Sequence, residues 1–152
     1  MPDRERRRRL TAVTSGLRDL RIELAVLNHR VGGRAELRDV DFDCLDVIAR
    51  SGPISPSALA ARVGVHQATM TGILNRLESG GWITRRPAEG DRRAVVVAST
   101  PDRQRELYVL FDGMNKRLQE LCGRYTDEQL DTITDFLART VAAGRDSSDE
   151  LG

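Results

Sequence analysis

"TMTGILNRLESGGWITRRPAEGDRRAVVV" (residues 69–97) changes its periodicity half-way along, and this change decides the fold class. The first half repeats apolar residues at helical spacing and ends at the glycine pair Gly80-Gly81. The second half holds two short strands, "WITRR" and "RAVVVA", joined by "PAEGD". The stretch therefore predicts a helix followed by a β-hairpin, with Arg92 and Arg93 at the hairpin tip.

The predicted helix, from about His66 to Ser79, has two different faces on a helical wheel. Its apolar side consists of Met70, Ile73, Leu74 and Leu77. Its opposite side is small and polar, and small side chains allow a helix to approach DNA closely. Glutamine, asparagine and arginine pair with base edges, and threonine with phosphates or bases. Any solvated helix face has a similar composition, so the helix alone does not settle the function.

The preceding residues complete a helix-turn-helix. A short helix is predicted from Phe42 to Arg50 and is stopped by "SGP". Ser55-Pro56 caps the next helix, and Gly64 ends that helix in a tight turn. In this motif the second helix lies in the DNA major groove.

The hairpin is interpreted as a wing beside this second helix. Arginines at a wing tip reach the minor groove, whose narrow A·T tracts attract them electrostatically. Asp91, two residues before Arg93, is expected to bridge to a nearby arginine and to hold the tip in shape. The alternative is that these charges only keep an exposed hairpin soluble. The candidate DNA-binding residues are Ser55, Gln67, Ala68, Thr69, Thr71, Gly72, Asn75, Arg76, Arg86, Asp91, Arg92 and Arg93.

Long amphipathic helices are predicted at both ends of the chain. In the helix predicted over residues 4–33, apolar residues from Leu10 to Val31 recur at spacings of three and four, which is a heptad seam. A stripe of that length needs other helices to cover it, from this chain or from a second copy. Thr100-Pro101 starts a further helix, and "TDEQ" at residues 126–129 is a capping box that opens the last one. The candidate dimerisation residues are Leu10, Val13, Leu17, Leu20, Leu24, Leu118, Leu130, Ile133 and Leu137.

Bulk composition limits the remaining function classes. The 152 residues carry a net charge of +1, yet residues 53–93 hold six arginines against three acidic residues. This asymmetry favours an anionic partner. Two cysteines, Cys44 and Cys122, indicate neither a disulfide framework nor a metal site. We expect no cofactor, no membrane span, no signal peptide and a cytoplasmic location.

The chain resembles the MarR family of bacterial transcription regulators. The resemblance is carried by "FDCLDVIARSGPISPSALAARVGV" (residues 42–65), by the stretch quoted above, and by Asp91-Arg92-Arg93 at the wing tip after Leu77-Glu78 and Gly81. It implies a single domain over residues 1–152, mainly α-helical with a small β-hairpin. Residues 41–99 would form the winged helix-turn-helix, and residues 4–33 and 100–146 the flanking dimerisation helices.

The resemblance also implies a mechanism. A homodimer would place two winged domains on a pseudo-palindromic operator in double-stranded DNA, with the helix from Gln67 to Arg76 reading bases. Arg93 would enter the minor groove and Asp91 would orient the wing. Family members usually repress genes, and many release DNA when a small, often aromatic, ligand binds. The chain departs from the family pattern at Gly72, Ser99 and Arg103, so the coupling between ligand and DNA stays open.

Three alternatives remain beside this reading. A redox sensor would need an exposed thiol close to a cation, and Cys44 lies on an apolar stretch, where free cysteine behaves as a small hydrophobe. A winged-helix protein that binds a protein partner in place of DNA is a second alternative, because Gly72 stands where many relatives carry arginine. An enzyme is not expected, because the sequence contains no phosphate loop, nucleophile elbow or metal-ligand cluster.

Overall fold

The computed structural model describes residues 2–151. The order of the elements is α1 (Pro2–Arg34), α2 (Asp39–Ser51), α3 (Pro56–Val63), α4 (Gln67–Ser79), β1 (Ile83–Ala88), β2 (Asp91–Ser99), α5 (Pro101–Cys122) and α6 (Asp127–Leu151). The predicted class, mainly helical with one hairpin, is confirmed. The chain forms two compact units, one up to Leu110 and one from Phe111 onward.

Helix α1 runs one residue beyond the predicted end of the segment 4–33. It continues through the glycine pair Gly32-Gly33 to Arg34. Gly32 is buried, and a β-carbon there would lie 3.2 Å from the Leu37 carbonyl oxygen, so this glycine serves a close approach. The left-handed residue of the following turn is Glu36, with φ of 58°.

The turns between the next helices follow local sequence signals. The Ser55 hydroxyl accepts a hydrogen bond from the Ala58 N–H at 3.2 Å, as expected of a helix cap. Gly64 adopts the left-handed conformation and ends α3. Helix α2 begins at Asp39, three residues before the predicted start, because Asp39 and Asp41 favour the positive end of a helix. His66 is not in α4 but is its N-cap: its Nδ1 accepts the Ala68 N–H.

The hairpin is longer and tighter than predicted. Pro87, Ala88 and Asp91 belong to the strands, so only Glu89 and Gly90 remain as the turn. Gly90 has a φ of 80°, a conformation that glycine adopts without strain. Ile54, between α2 and α3, adds a short antiparallel bridge to β2 through both of its backbone hydrogen bonds with Val97.

One hydrophobic core joins these elements. It is built from apolar side chains of α2, α3, α4 and the hairpin, and its fully buried members include Ile48, Leu59, Ile73, Leu77 and Val97. Burial of each such side chain contributes roughly 1.5–3 kcal/mol. This core fixes where α4 and the hairpin lie relative to each other.

Candidate nucleic-acid interface

Helix α4 has the two faces that the wheel predicted. Met70, Ile73, Leu74 and Leu77 are all buried in the core. The predicted outward residues lie at the surface: Gln67, Ala68, Thr69, Thr71, Asn75 and Arg76 are exposed, and Gly72 is half-buried. At Gly72 a β-carbon would meet only the Arg76 guanidinium, at 3.7 Å. Packing therefore does not require a glycine at this position. Because Gly72 has no side chain, nothing projects from the middle of the outward face of α4.

Arg76 is committed to an ion pair. Its Nε and Nη2 donate to the two carboxylate oxygens of Asp41 at 3.0 and 2.7 Å. Asp41 is the one buried charged residue in the described part of the chain, with 3% of its surface exposed. Bidentate pairing raises the pKa of Arg76 and compensates the buried carboxylate. The structure therefore gives Arg76 a role in joining α2 to α4, which the sequence did not reveal.

Asn75 also has a partner within the protein. Its Oδ1 accepts a hydrogen bond from Arg85 Nη2 at 2.8 Å, and Arg85 also pairs with Glu78 at 3.1 Å. Arg85 lies on β1, so these contacts tie the hairpin to the exposed side of α4. The sequence analysis singled out the neighbouring Arg86 and missed Arg85.

The wing presents three arginines without acidic partners. Within residues 2–151, Arg86, Arg92 and Arg93 form no salt bridge, and all three are exposed. Asp91 does hold the tip in shape, but not through a guanidinium as expected. Its carboxylate accepts the backbone N–H of Arg93 at 2.9 Å. Because aspartate closes the turn through the backbone, both neighbouring arginine side chains remain available to a ligand.

Ser55 makes its contacts at the start of α3, away from the wing arginines. Its hydroxyl caps α3 and lies 3.3 Å from the Ser57 hydroxyl. It is half-buried. The role of Ser55 that the structure shows is to cap the N-terminus of α3.

A cleft lies between α1 and α2, in the unit that contains the winged helix. It has a volume of about 470 Å³. Three of the predicted dimerisation residues, Leu17, Leu20 and Leu24, form part of its wall. The remaining lining residues are Arg21, Ala25, Asn28, His29, Asp39, Phe42 and Asp43. A volume of this size falls within the range of small-molecule sites.

The polar lining of the cleft holds two carboxylates, Asp39 and Asp43, beside Arg21, Asn28 and His29. Partial burial, followed by the charges of Asp39 and Asp46, raises the pKa of Asp43 above its usual value. His29 Nδ1 lies 2.9 Å from Asp39 at the surface. Arg21 supplies the positive charge among the lining residues.

Cys44 does not have the environment of a reactive thiol. It is fully buried in the core, and burial, reinforced by Asp41 and Asp43, raises its pKa to about 12. The thiolate is the reactive form, so Cys44 is essentially unreactive near neutral pH. Cys122, at the end of α5, is half-buried. The described residues include no cluster of metal-ligating side chains and no helix that could cross a membrane.

Comparison with known proteins agrees with this geometry. Residues 37–95 match the MarR family model. The helix-turn-helix-type transcriptional regulator YcgE of Bacillus subtilis is 28% identical over 115 residues, which cover 75% of each chain. The crystal structure of transcriptional regulator Tm0710 from Thermotoga maritima is 25% identical and has a TM-score of 0.64, covering 91% of this chain and 98% of that one. The winged helix-turn-helix region of the chain, residues 37–95, is therefore of the MarR type. The protein is a winged helix-turn-helix transcriptional regulator of the DNA-binding type.

Two further solved structures share the fold and contain a bound partner. Streptococcus pneumoniae FabT in complex with DNA is 19% identical, with a TM-score of 0.68 over 90% of this chain and 98% of that one. NadR in complex with 4-hydroxyphenylacetate is 22% identical, with a TM-score of 0.64 over 84% of this chain and 91% of that one.

Proposed function

We propose that this MarR-type protein is a homodimeric repressor that binds a pseudo-palindromic operator and releases it when a small aromatic effector binds. The observation that carries the proposal is the wing: Arg86, Arg92 and Arg93 are exposed and have no acidic partner among the described residues, while Asp91 fixes the backbone beneath them. A hairpin that served only its own fold would not need three uncompensated charges.

The proposed DNA contacts divide between α4 and the wing. Gln67, Ala68, Thr69 and Thr71 lie on the exposed first turns of α4, where a recognition helix meets base edges in the major groove. The wing arginines are proposed to enter the adjacent minor groove. Asn75 and Arg76 keep their partners Arg85 and Asp41, so we assign them mainly to shaping the surface. The structure of FabT with DNA supports this use of the fold.

The homodimer is proposed from the apolar surface of the terminal helices. Neither α5 nor α6 has a buried residue. The predicted dimerisation residues Leu10, Val13, Leu118, Ile133 and Leu137 are each more than one-third exposed. Monomeric proteins seldom leave this many large apolar side chains of their helices in water, and a second copy presents the same faces for pairing.

The effector is proposed to occupy the cleft between α1 and α2. Its apolar wall of Leu17, Leu20 and Leu24 suits a ring, and the lining of Asn28 and His29 offers hydrogen bonds. NadR was solved with the phenolic acid 4-hydroxyphenylacetate. The lining holds Asp39 and Asp43 against Arg21, an excess of one acidic side chain, so we expect a neutral phenol to release DNA at lower concentration than the phenolic acid does.

The test is DNA affinity as a function of salt, on a duplex from immediately upstream of the protein's own gene and on a scrambled duplex. The substitution Arg93→Ala should weaken binding to the upstream duplex by roughly 1–3 kcal/mol and make the slope of log K against log salt shallower. Arg139→Ala is the matched control, because Arg139 is an exposed arginine of α6 whose ion pair, in the described part of the chain, is with Asp135. If the wild type does not distinguish the two duplexes, or if both variants behave alike, the operator-binding proposal is wrong.

A further inference from the structure

Arg103 lies in the first turn of α5 and contacts the residues that connect α4 to the wing. Its Nε and Nη2 both donate to the Gly80 carbonyl oxygen, at 3.2 and 3.0 Å. Its guanidinium carbon lies 4.3 Å from the centre of the Trp82 ring. Its Nη1 pairs with Glu106 one turn further along α5 at 2.6 Å. One side chain therefore contacts the end of the recognition helix, the start of the wing and its own helix.

The residues that Arg103 contacts are themselves tightly fixed. Gly80 is the C-cap of α4, where the carbonyl end of the helix favours a cation. Trp82 packs so close to Gly80 that a β-carbon there would lie 2.7 Å from the indole Cδ1. The Thr100 N–H donates to the Trp82 carbonyl, and the Thr100 hydroxyl donates to the Gly81 carbonyl. The start of α5 is thus bonded to all three residues between α4 and β1.

We infer that Arg103 is a positioning residue for DNA binding: it fixes α4 and the base of the wing against α5 without contacting DNA itself. The inference takes binding by α4 and the wing, as proposed above, as its starting point. A guanidinium is suited to this role because it stacks on an aromatic ring and donates in its plane at the same time. The exposed charge of a lysine offers no such combination.

Trp82 makes the inference measurable, because it is the single tryptophan of the chain. In Arg103→Ala the indole loses its covering cation, so acrylamide should quench its fluorescence more strongly than in the wild type. Arg105→Ala is the matched control. Arg105 lies in the same turn of α5, and within residues 2–151 its ion pair is with Asp102 at the surface, so its removal should leave the quenching unchanged.

The decisive measurement is the affinity for the upstream duplex across a salt series, at a temperature where circular dichroism shows each variant folded. We expect Arg103→Ala to bind roughly 3- to 30-fold more weakly, with an unchanged slope of log K against log salt. A slope shallower by about one would mean that Arg103 contacts a phosphate directly, and the positioning role would be overturned.

Arg103→Lys separates geometry from charge and is also the fallback if the alanine variant does not fold. Lysine keeps the charge but cannot both stack and donate twice to Gly80, so it should bind DNA nearly as weakly as the alanine variant. Full rescue by lysine, or wild-type affinity in Arg103→Ala, would overturn the positioning role alone. Wild-type protein that binds neither duplex would instead overturn the DNA-binding function and this inference with it.

Discussion

The winged helix and the C-terminal helices are built on opposite principles. Every buried apolar side chain in the described part of the chain lies between Val31 and Val97. Helices α5 and α6 have regular amphipathic patterns and a complete capping box at Thr126 and Gln129, yet they contain no buried residue. A region that fills its own core folds from its own contacts. A region whose apolar face stays exposed has a sequence suited to packing against a partner.

The comparison is tested most strongly in the winged-helix core. Leu59→Ala should lower the free energy of unfolding by about 3–4 kcal/mol, because Leu59 is fully buried among α2, α4 and the hairpin. Urea unfolding followed by circular dichroism measures this. The loss should be the same at low and high protein concentration. A loss that shrinks as protein concentration rises would show that this core too depends on a second chain.

A smaller effect is expected on α6, and it should depend on concentration. Leu137→Asp places a charge on the exposed apolar face and should weaken self-association by roughly 2–3 kcal/mol. Sedimentation equilibrium measures the dimer constant, with Arg139→Ala as the control two residues away. Wild-type protein that sediments as a monomer at micromolar concentration would rule out the proposed role of this face.

The smallest expected effect concerns the two cysteines: Cys44 lies in the buried core of the winged helix, and Cys122 lies at the end of α5. Because the folded pKa of Cys44 is raised to about 12, the folded state retains a proton that the unfolded state releases. Stability therefore falls as the pH rises above the ordinary thiol pKa and continues to fall until about 12. Between pH 8 and pH 10 the wild type should lose roughly 1–2 kcal/mol more than Cys44→Ala does.

Thiol labelling at neutral pH completes this test. Cys122 is half-buried and should react with an alkylating reagent in the folded protein, whereas Cys44 should react only after urea is added. Rapid labelling of Cys44 in the native protein, or loss of DNA binding on mild peroxide that is absent in Cys44→Ala, would revive the redox-sensing alternative.

Features encoded by neighbouring residues were predictable from the sequence. The order of helices and strands, the buried face of α4 and the caps at Ser55 and Thr126 all follow from patterns of two to seven residues. Such signals act within one element, so they do not depend on the rest of the fold. The hairpin turn is the exception, because the sequence predicted a five-residue loop, "PAEGD", that was too long. Pairing between β1 and β2 extends to Ala88 and Asp91 and leaves a shorter turn.

Contacts between distant residues were not predictable in the same way. Asp41 and Arg76 are 35 positions apart, and Gly80 and Arg103 are 23 apart. In the sequence each of these residues is an ordinary charged or small residue. Arg103 was noticed only as a departure from the family pattern, and its stacking on Trp82 needed the fold to bring them together. The individual DNA contacts stay predictions, since they depend on a partner.

The bridge between Ile54 and Val97 has a consequence for operator geometry. Because the loop before α3 is hydrogen-bonded to β2 in both directions, the base of the wing is joined to the helix-turn-helix on two sides, and we expect the two to move together. In the proposed dimer, an effector would therefore not fold a wing away from its groove. It would change the distance between the two winged helix-turn-helix units of the dimer. The number of base pairs between the operator half-sites would then determine how large a change in this distance still permits binding.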